Sequence, residues 1–298
     1  MYYPLISIAI ATFNSEQTLT LTLESIKNQD YPRKKVEILI IDGGSTDKTR
    51  SIAKKYHCRI LENHKTELIF AKQIGFLKAT GKYLIYLDSD EVLENSRSLS
   101  LKYLASQNTN QVKAVMPSGY KTPSKYSSIN YYINEFGDPF TFFVYRESKG
   151  DNFLIKDWLN KYKKVQEDKN CVIFNFKNVN SLPLIELWAG GCMVDLAYAR
   201  ANFPQIKKRP SLIAHLFYLL NNKNCLLAIT KNDNTIHYSS SSIQKYLKKL
   251  SSRIKNNSPL RNHSFHCHAR EASHLPFHQK LSRSFNQNHP SAKRSQRT

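Results

Sequence analysis

Two carboxylates, Asp88 and Asp90, stand directly after the apolar run Tyr83-Leu-Ile-Tyr-Leu87. At positions i and i+2 on a strand end, two such groups can share one hard divalent cation and leave coordination sites for phosphate oxygens and water. Two further polar clusters follow apolar runs in the same way. Thr12-Phe13-Asn14 closes residues 5–11, and Asp42-Gly43-Gly44-Ser45 closes residues 36–41. An Asp-x-Asp alone is a weak signal in a chain with eleven aspartates, and its competing reading is a solvated turn. Metal and nucleotide chemistry therefore requires elements that bring the three clusters together.

The intervening sequence supplies such elements. Apolar runs of strand length at 5–11, 36–41, 59–61 and 83–87 alternate with stretches of helical spacing. Leu19, Leu23 and Ile26 mark the first helix, with Ser15 as its cap and Tyr31-Pro32 as its stop. A second helix, capped by Ser45 or Thr46, runs through Ala53 to Tyr56, and a third covers 67–79 and stops before Gly81. Strand–helix alternation predicts parallel pairing through right-handed crossovers. Ligands of such sheets bind beyond the carboxyl ends of the strands, where all three clusters would gather. Beyond residue 110 the pattern is less regular. Residues 117–150 predict an irregular connection with some helix, and 171–176 a strand. The Gly190-Gly191 pair permits a tight turn or close ligand approach. A helix is expected from Pro210 through Leu220, a strand over 226–230 and a basic amphipathic helix over 243–254.

Three linked segments carry a family resemblance. Ile6-Ser-Ile-Ala-Ile-Ala-Thr-Phe-Asn14, Ile38-Leu-Ile-Ile-Asp-Gly-Gly-Ser-Thr-Asp-Lys-Thr49 and residues 71–90, ending in Asp88-Ser89-Asp90, resemble family 2 glycosyltransferases in order and spacing. The likeness is strong over about residues 4–95 and thin afterwards. It implies a GT-A fold, an α/β architecture with a mostly parallel sheet flanked by helices. Residues 1–110 would form its nucleotide-sugar-binding half and 111–255 its acceptor-binding half, with a basic tail at 256–298. The implied reaction moves a sugar with inversion from a nucleotide-sugar donor, UDP-linked, to a saccharide, lipid-linked or protein acceptor, assisted by Mn²⁺ or Mg²⁺. By the same resemblance, Thr12 and Asn14 lie near the nucleotide, and Asp42 reads the uracil or ribose. Lys72 sits near base and phosphates. Asp88 serves nucleotide and metal, Asp90 is the direct metal ligand, and His237 completes the metal or diphosphate site. Asp47 reads instead as a helix-start carboxylate.

The general base has no clear counterpart. The family's acid opens a helix in the acceptor half, but Ser211-Leu-Ile-Ala-His-Leu-Phe-Tyr218 contains none. His215, Glu186, Asp195 and Asp138 stay as unranked candidates, and His215 reads more readily as the flank of an apolar helix face than as a base. A relative that lost its base and only holds nucleotide or glycan is the second reading.

Composition sets outer bounds. Hydrophobic residues make up 41% and charged residues 22% of 298, ordinary for a globular chain. No apolar run approaches the ~18 residues of a membrane span. Met1-Tyr2-Tyr3-Pro4 lacks the basic, then apolar, start of a secretion signal, and five cysteines without CxxC spacing read as free thiols, so a cytoplasmic location is expected. The net charge of +21 fits acidic substrates or an anionic membrane surface, including the inner face of a membrane. No basic-aromatic module repeats, so nucleic acid is not an expected partner. The tail from 256 holds seven Lys/Arg against Glu271, and its composition predicts disorder rather than a zinc site at His263, His266, Cys267 and His268.

Overall fold

The computed structural model describes residues 2–137, 148–151, 154–180 and 182–256. Two compact units divide the chain, Met1–Ser242 and Ile243–Thr298. The tail beyond 256, with its histidines, and Asp138 lie outside the described residues.

The first unit opens with β1 (Ile6–Thr12), α1 (Leu19–Lys27), β2 (Val36–Asp42), α2 (Thr49–Lys55), β3 (Arg59–Glu62), α3 (Leu68–Lys78) and β4 (Tyr83–Asp88). β2 and β4 flank β1 in parallel, and β3 pairs in parallel with β2. Register places Thr12 beside Asp42 and Ala11 beside Asp88, so the expected convergence at the carboxyl edge is realised. Ile6, Ile8 and Ile10 pack on one face with Leu19, Leu23 and Ile26 of α1. Ala9, Leu39 and Ile41 pack on the other with Ala71 and Phe76 of α3. Burial on both faces explains the unbroken apolar runs, and each fully buried Leu or Ile contributes about 1.5–3 kcal/mol. Gly75 lets α3 approach closely, since a Cβ there would lie 2.7 Å from that of Ala9.

The remaining elements are β5 (Glu91–Leu93), α4 (Ser98–Gln107), β6 (Val112–Met116), β7 (Gly119–Lys121), α5 (Ser128–Phe136), α6 (Leu154–Lys161), β8 (Lys163–Glu167) and β9 (Cys171–Asn175). They continue with β10 (Cys192–Asp195), α7 (Leu196–Asn202), α8 (Leu216–Asn222), β11 (Leu226–Thr230) and β12 (Asn234–His237). The main sheet runs β3-β2-β1-β4-β10-β6-β11-β9-β8. β10 enters antiparallel between β4 and β6, and β11 pairs in parallel with β6. The expected α/β class holds, with a parallel block formed by β1 to β4 and mixed pairing beyond it. A second sheet, β5-β12-β7, sits at the site. Its β12 strand is fixed by buried Asp233, which accepts from Lys102 of α4 and from Thr230.

Local departures from expectation have physical causes. Ser15 does not cap α1 with its side chain. Its carbonyl accepts from the amides of Thr18 and Leu19, and its hydroxyl turns to Phe13 and Ser89. Neither Ser45 nor Thr46 caps α2, whose cap residue Lys48 makes no side-chain cap bond, and Asp47 braces the turn just before it. One Asp47 oxygen accepts from the Thr49 amide at 2.9 Å and the other from the Glu16 amide at 3.0 Å. The helix expected from Pro210 is broken into a 3-10 turn, Pro210–Ile213, and α8. Cys58, Cys171, Cys192 and Cys225 are free thiols. The second unit contributes α9 (Ile243–Asn256), on which Ile243 and Leu247 are each 55% exposed. No helix among the described residues is long and apolar enough to cross a membrane.

Candidate active site

One side of the candidate site is built around Asp42. Its Oδ1 accepts from Thr12 Oγ1 at 3.0 Å and Ser45 Oγ at 2.6 Å, and its Oδ2 accepts from the Ser45 amide at 3.0 Å. Arg50 reaches Oδ2 at 3.4 Å while remaining 40% exposed. Burial pushes the Asp42 carboxyl up, but Ser45, Thr12 and Arg50 outweigh it and hold the group below the ordinary carboxylate range. Asp42 is thus an ionised acceptor whose Oδ1 is fixed and whose Oδ2 is held more loosely. It lines a cleft of about 280 Å³ together with Gly43, Gly44, Arg50, Asn63, His64 and Thr66. Asn14, with φ 48°, uses its side-chain oxygen to accept from the Thr46 amide at 2.9 Å, and its own amide donates to Ser45 Oγ at 2.9 Å. Asn tolerates this left-handed geometry better than most residues. Thr12 and Asn14 therefore fix the loop that carries Asp42, Ser45 and Thr46.

The carboxylate side lies across β1, on β4. Asp88 ends β4, and its Oδ1 accepts from the ammonium of Lys72, which is 1% exposed. Lys72 neutralises Asp88 directly. Asp90 Oδ2 lies 3.7 Å from His237 Nε2, and the Asp90 carbonyl accepts from the Tyr238 amide at 2.8 Å. His237 comes to this position because β12 pairs antiparallel with β5, which sets it opposite Glu91. Its Nδ1 lies 2.8 Å from Asn134 Oδ1, and its ring packs 5.2 Å from that of Tyr120. Among the described residues, no three His, Cys, Asp or Glu side chains form a self-sufficient metal cluster.

Glu91 ties this constellation together, and the sequence reading gave it no role. Its Oε2 accepts from the amides of Asp88 and Gly190 at 2.8 and 2.9 Å, while Oε1 accepts from Tyr120 Oη at 3.0 Å. Burial, with the nearby charge of Asp88, raises its carboxyl to about 7. The strand-end carboxylates are thereby joined to the Gly190-Gly191 turn. Gly190 has φ 70° and a Cβ there would meet Tyr120 Oη at 2.7 Å, so this turn requires glycine. The signal that could have found Glu91 was its place as a third acid beside Asp88 and Asp90. Arg50, the partner of Asp42, was also missed.

The base candidates separate. Asp195 caps α7 through the Tyr198 amide and pairs with Lys113 at 2.9 Å. Its register partner is Tyr83, at the start of β4 and five residues before Asp88. That is roughly 16 Å along the strand, so Asp195 belongs to the opposite sheet edge and is removed as a base. His215 is exposed where the 3-10 turn meets α8, its ring 6.3 Å from that of Tyr218. Glu186 pairs with Lys149 at 3.1 Å and lines a cavity that also includes Gly190 and Tyr120.

A parallel sheet edge with a buried acceptor at β2, paired acids at β4 and a late histidine defines a GT-A-type α/β fold. The chain belongs to glycosyl transferase family 2, whose model it matches over residues 7–178. It is 41% identical over 87 residues to a dolichyl N-acetyl-α-D-glucosaminyl phosphate 3-β-D-2,3-diacetamido-2,3-dideoxy-β-D-glucuronosyltransferase of Methanococcus voltae, covering 27% of each chain. It is 25% identical over 191 residues to the GalNAc(5)-diNAcBac-PP-undecaprenol β-1,3-glucosyltransferase of Campylobacter jejuni, covering 54% of this chain and 60% of the relative. The match thus spans less than two thirds of the length of either relative. The structure of Staphylococcus aureus TarS residues 1–349 shares the fold, with a TM-score of 0.52 at 16% identity over 78% of this chain and 60% of that one.

Proposed function

We propose that the chain transfers a sugar from a UDP-linked donor to an acceptor hydroxyl with inversion, assisted by Mn²⁺ or Mg²⁺. The observation that carries this reading is the convergence of Asp42, Asp88, Asp90 and His237 on one sheet edge. Asp90 and His237 would hold the metal. One carboxylate and one imidazole suit such a cation while leaving positions for phosphate oxygens and water. Bound there, it would offset charge on the departing diphosphate. Asp42 accepts from base or ribose, Thr12 and Ser45 orient it, and Lys72 keeps Asp88 from repelling phosphate. The acceptor hydroxyl attacks from the face opposite the diphosphate and surrenders its proton to a base. Glu186 is favoured for that part because it shares a cavity wall with Gly190. The competing reading, a nucleotide- or glycan-binding relative without turnover, draws on the missing acid at 210–220. Mass spectrometry of products from a donor panel, with and without Mn²⁺, decides between them. Donor-dependent transfer supports the enzyme, and binding without product supports the alternative.

Asp42→Ala is expected to weaken UDP binding by about 1–3 kcal/mol through loss of a charged acceptor. Calorimetric titration with UDP and with inorganic phosphate checks it. Equal UDP affinity in both proteins, or an equal fall for phosphate, removes Asp42 from nucleotide recognition. UDP is the first nucleotide to test because a TarS structure of like fold carries UDP-GlcNAc.

Lipid-linked acceptors, the class named for the M. voltae and C. jejuni relatives, would place the enzyme at the cytoplasmic surface of a membrane. Exposed Ile243 and Leu247 on α9, beside Lys245, Lys248 and Lys249, support contact with anionic lipid. Each basic residue near such a surface contributes about 1 kcal/mol. Reversing the three lysines to Glu should therefore sharply reduce co-sedimentation with anionic vesicles, as should high salt. Equal sedimentation of variant and wild type would leave α9 as a solvated helix.

A further inference from the structure

Helix α5 presents two buried asparagines to the end of β12. Asn130 and Asn134 stand on one helical face. Asn130 donates through Nδ2 to the His237 carbonyl at 2.9 Å, and its Oδ1 accepts from the Ser240 amide at 3.1 Å. Asn134 donates through Nδ2 to the same His237 carbonyl at 3.0 Å, to the Lys121 carbonyl at 3.3 Å and to Thr122 Oγ1 at 3.2 Å. Its Oδ1 lies 2.8 Å from His237 Nδ1. The two carbonyls decide which way this amide points. A carbonyl only accepts, so the Asn134 nitrogen faces Lys121 and His237 and its oxygen faces the imidazole. A ring nitrogen 2.8 Å from that oxygen carries a hydrogen, because two opposed lone pairs repel at such a distance. On the other side of the ring, Nε2 stands 3.7 Å from Asp90 Oδ2, beyond the reach of an ordinary hydrogen bond. Both contacts favour a neutral ring with its proton on Nδ1.

We infer that Asn134 is a positioning residue for the proposed metal site, holding the proton of neutral His237 on Nδ1 and so keeping the Nε2 lone pair on the Asp90 side. The inference rests on the reading of Asp90 and His237 as metal ligands and names the residue that readies one of them. A metal-binding imidazole ordinarily gives its second N–H to an outer partner, and loss of that partner costs about 10- to 100-fold in metal affinity. Asn134 fills that place with a neutral acceptor. Without it the ring proton is free to settle on Nε2, from which it must be removed before a cation can bind. The same asparagine also donates to the His237 carbonyl, so one side chain fixes both the strand end and the proton on the ring. Asn130 shares only the first of these tasks, since its contact with His237 is to the backbone. The ring is steadied on its flank by Tyr120, 5.2 Å away between centroids.

The test uses the full, metal-free chain labelled with nitrogen-15 histidine. Ring-nitrogen shifts of neutral His237, assigned by their loss in His237→Ala, report which nitrogen carries the proton. Two variants separate the oxygen of Asn134 from its nitrogen. Asn134→Leu removes acceptor and donors together, whereas Asn134→Asp keeps an oxygen toward Nδ1 and loses the donors to the carbonyls. Wild type and Asn134→Asp should show the Nδ1–H ring, and Asn134→Leu should move most of the population to Nε2–H. Mn²⁺ affinity, followed by water-proton relaxation, should fall at least about tenfold in Asn134→Leu and no more than about threefold in Asn134→Asp. A side chain that only braced the strand would weaken Mn²⁺ equally in both variants and leave the ring proton where it was. An Nε2–H ring in wild type overturns the inference, and that result needs no folded variant. So does a folded Asn134→Leu that keeps the Nδ1–H ring, or an equal loss of Mn²⁺ affinity in the two variants. Absence of Mn²⁺ binding in wild type would defeat the metal reading instead, and the ring shifts would still decide what Asn134 does to His237.

Discussion

Replacing Asp90 with alanine is expected to lower Mn²⁺-dependent UDP binding and sugar transfer by at least about 100-fold, with the fold intact. Asp90 sits in the turn between β4 and β5, with its side chain 25% exposed and no part in either hydrophobic core. Removing it costs little packing. It takes away the carboxylate that faces His237, and a lone imidazole is a poor site for a hard cation. A Lewis acid at a departing diphosphate is worth several kcal/mol of transition-state stabilisation, and each 1.4 kcal/mol is about tenfold in rate. His237→Ala should weaken Mn²⁺ less, because the carboxylate remains. Titration of Mn²⁺ followed by water-proton relaxation, with and without UDP, separates metal affinity from nucleotide affinity. Unchanged Mn²⁺-dependent UDP binding in the Asp90 variant would sink the metal assignment.

How much of this was legible in the sequence follows from the range of the interactions involved. The parallel block was readable because each of its strands is a continuous apolar run that ends in a polar cluster, so local pattern and tertiary position agree. Asp42, Asp88 and Asp90 are strand-end residues and inherit that legibility. His237 was placed by likeness alone, since its approach to Asp90 depends on β12 pairing with β5 across nearly half the chain. Glu91 was passed over because its meaning lies in Gly190 and Tyr120, 99 and 29 residues away in sequence. Asp195 failed for a directional reason. A strand entered from the Gly190-Gly191 turn runs antiparallel to β4, and composition carries no sign of direction. The stretch 210–220 has helical apolar spacing throughout, yet Pro210 opens a 3-10 turn that ends before α8 begins. Spacing alone does not reveal such a break.

The second large effect is a pH dependence of stability centred on Glu91. Its carboxyl lies at about 7 in the folded, metal-free chain against an ordinary 4.5, first because it is buried and then because Asp88 is close. Between those values the unfolded chain has released the proton while the folded chain retains it. Folding then takes up a proton, and stability falls as pH rises through this window. Below 4.5 both states are protonated and above 7 both are ionised, so the contribution is flat outside it. The full difference corresponds to a loss of about 3 kcal/mol from pH 4.5 to 7. Glu91→Gln cannot ionise. Its amide oxygen can still accept from the Asp88 and Gly190 amides, so a constant offset from the altered Tyr120 contact is expected, without the slope. Urea denaturation of the two proteins in chelator across pH 5–8 isolates the difference. The stability of the Gln variant relative to wild type should rise by up to about 3 kcal/mol over that range. A gap that stays level with pH would mean that Glu91 is ionised throughout, held so by the three donors around it.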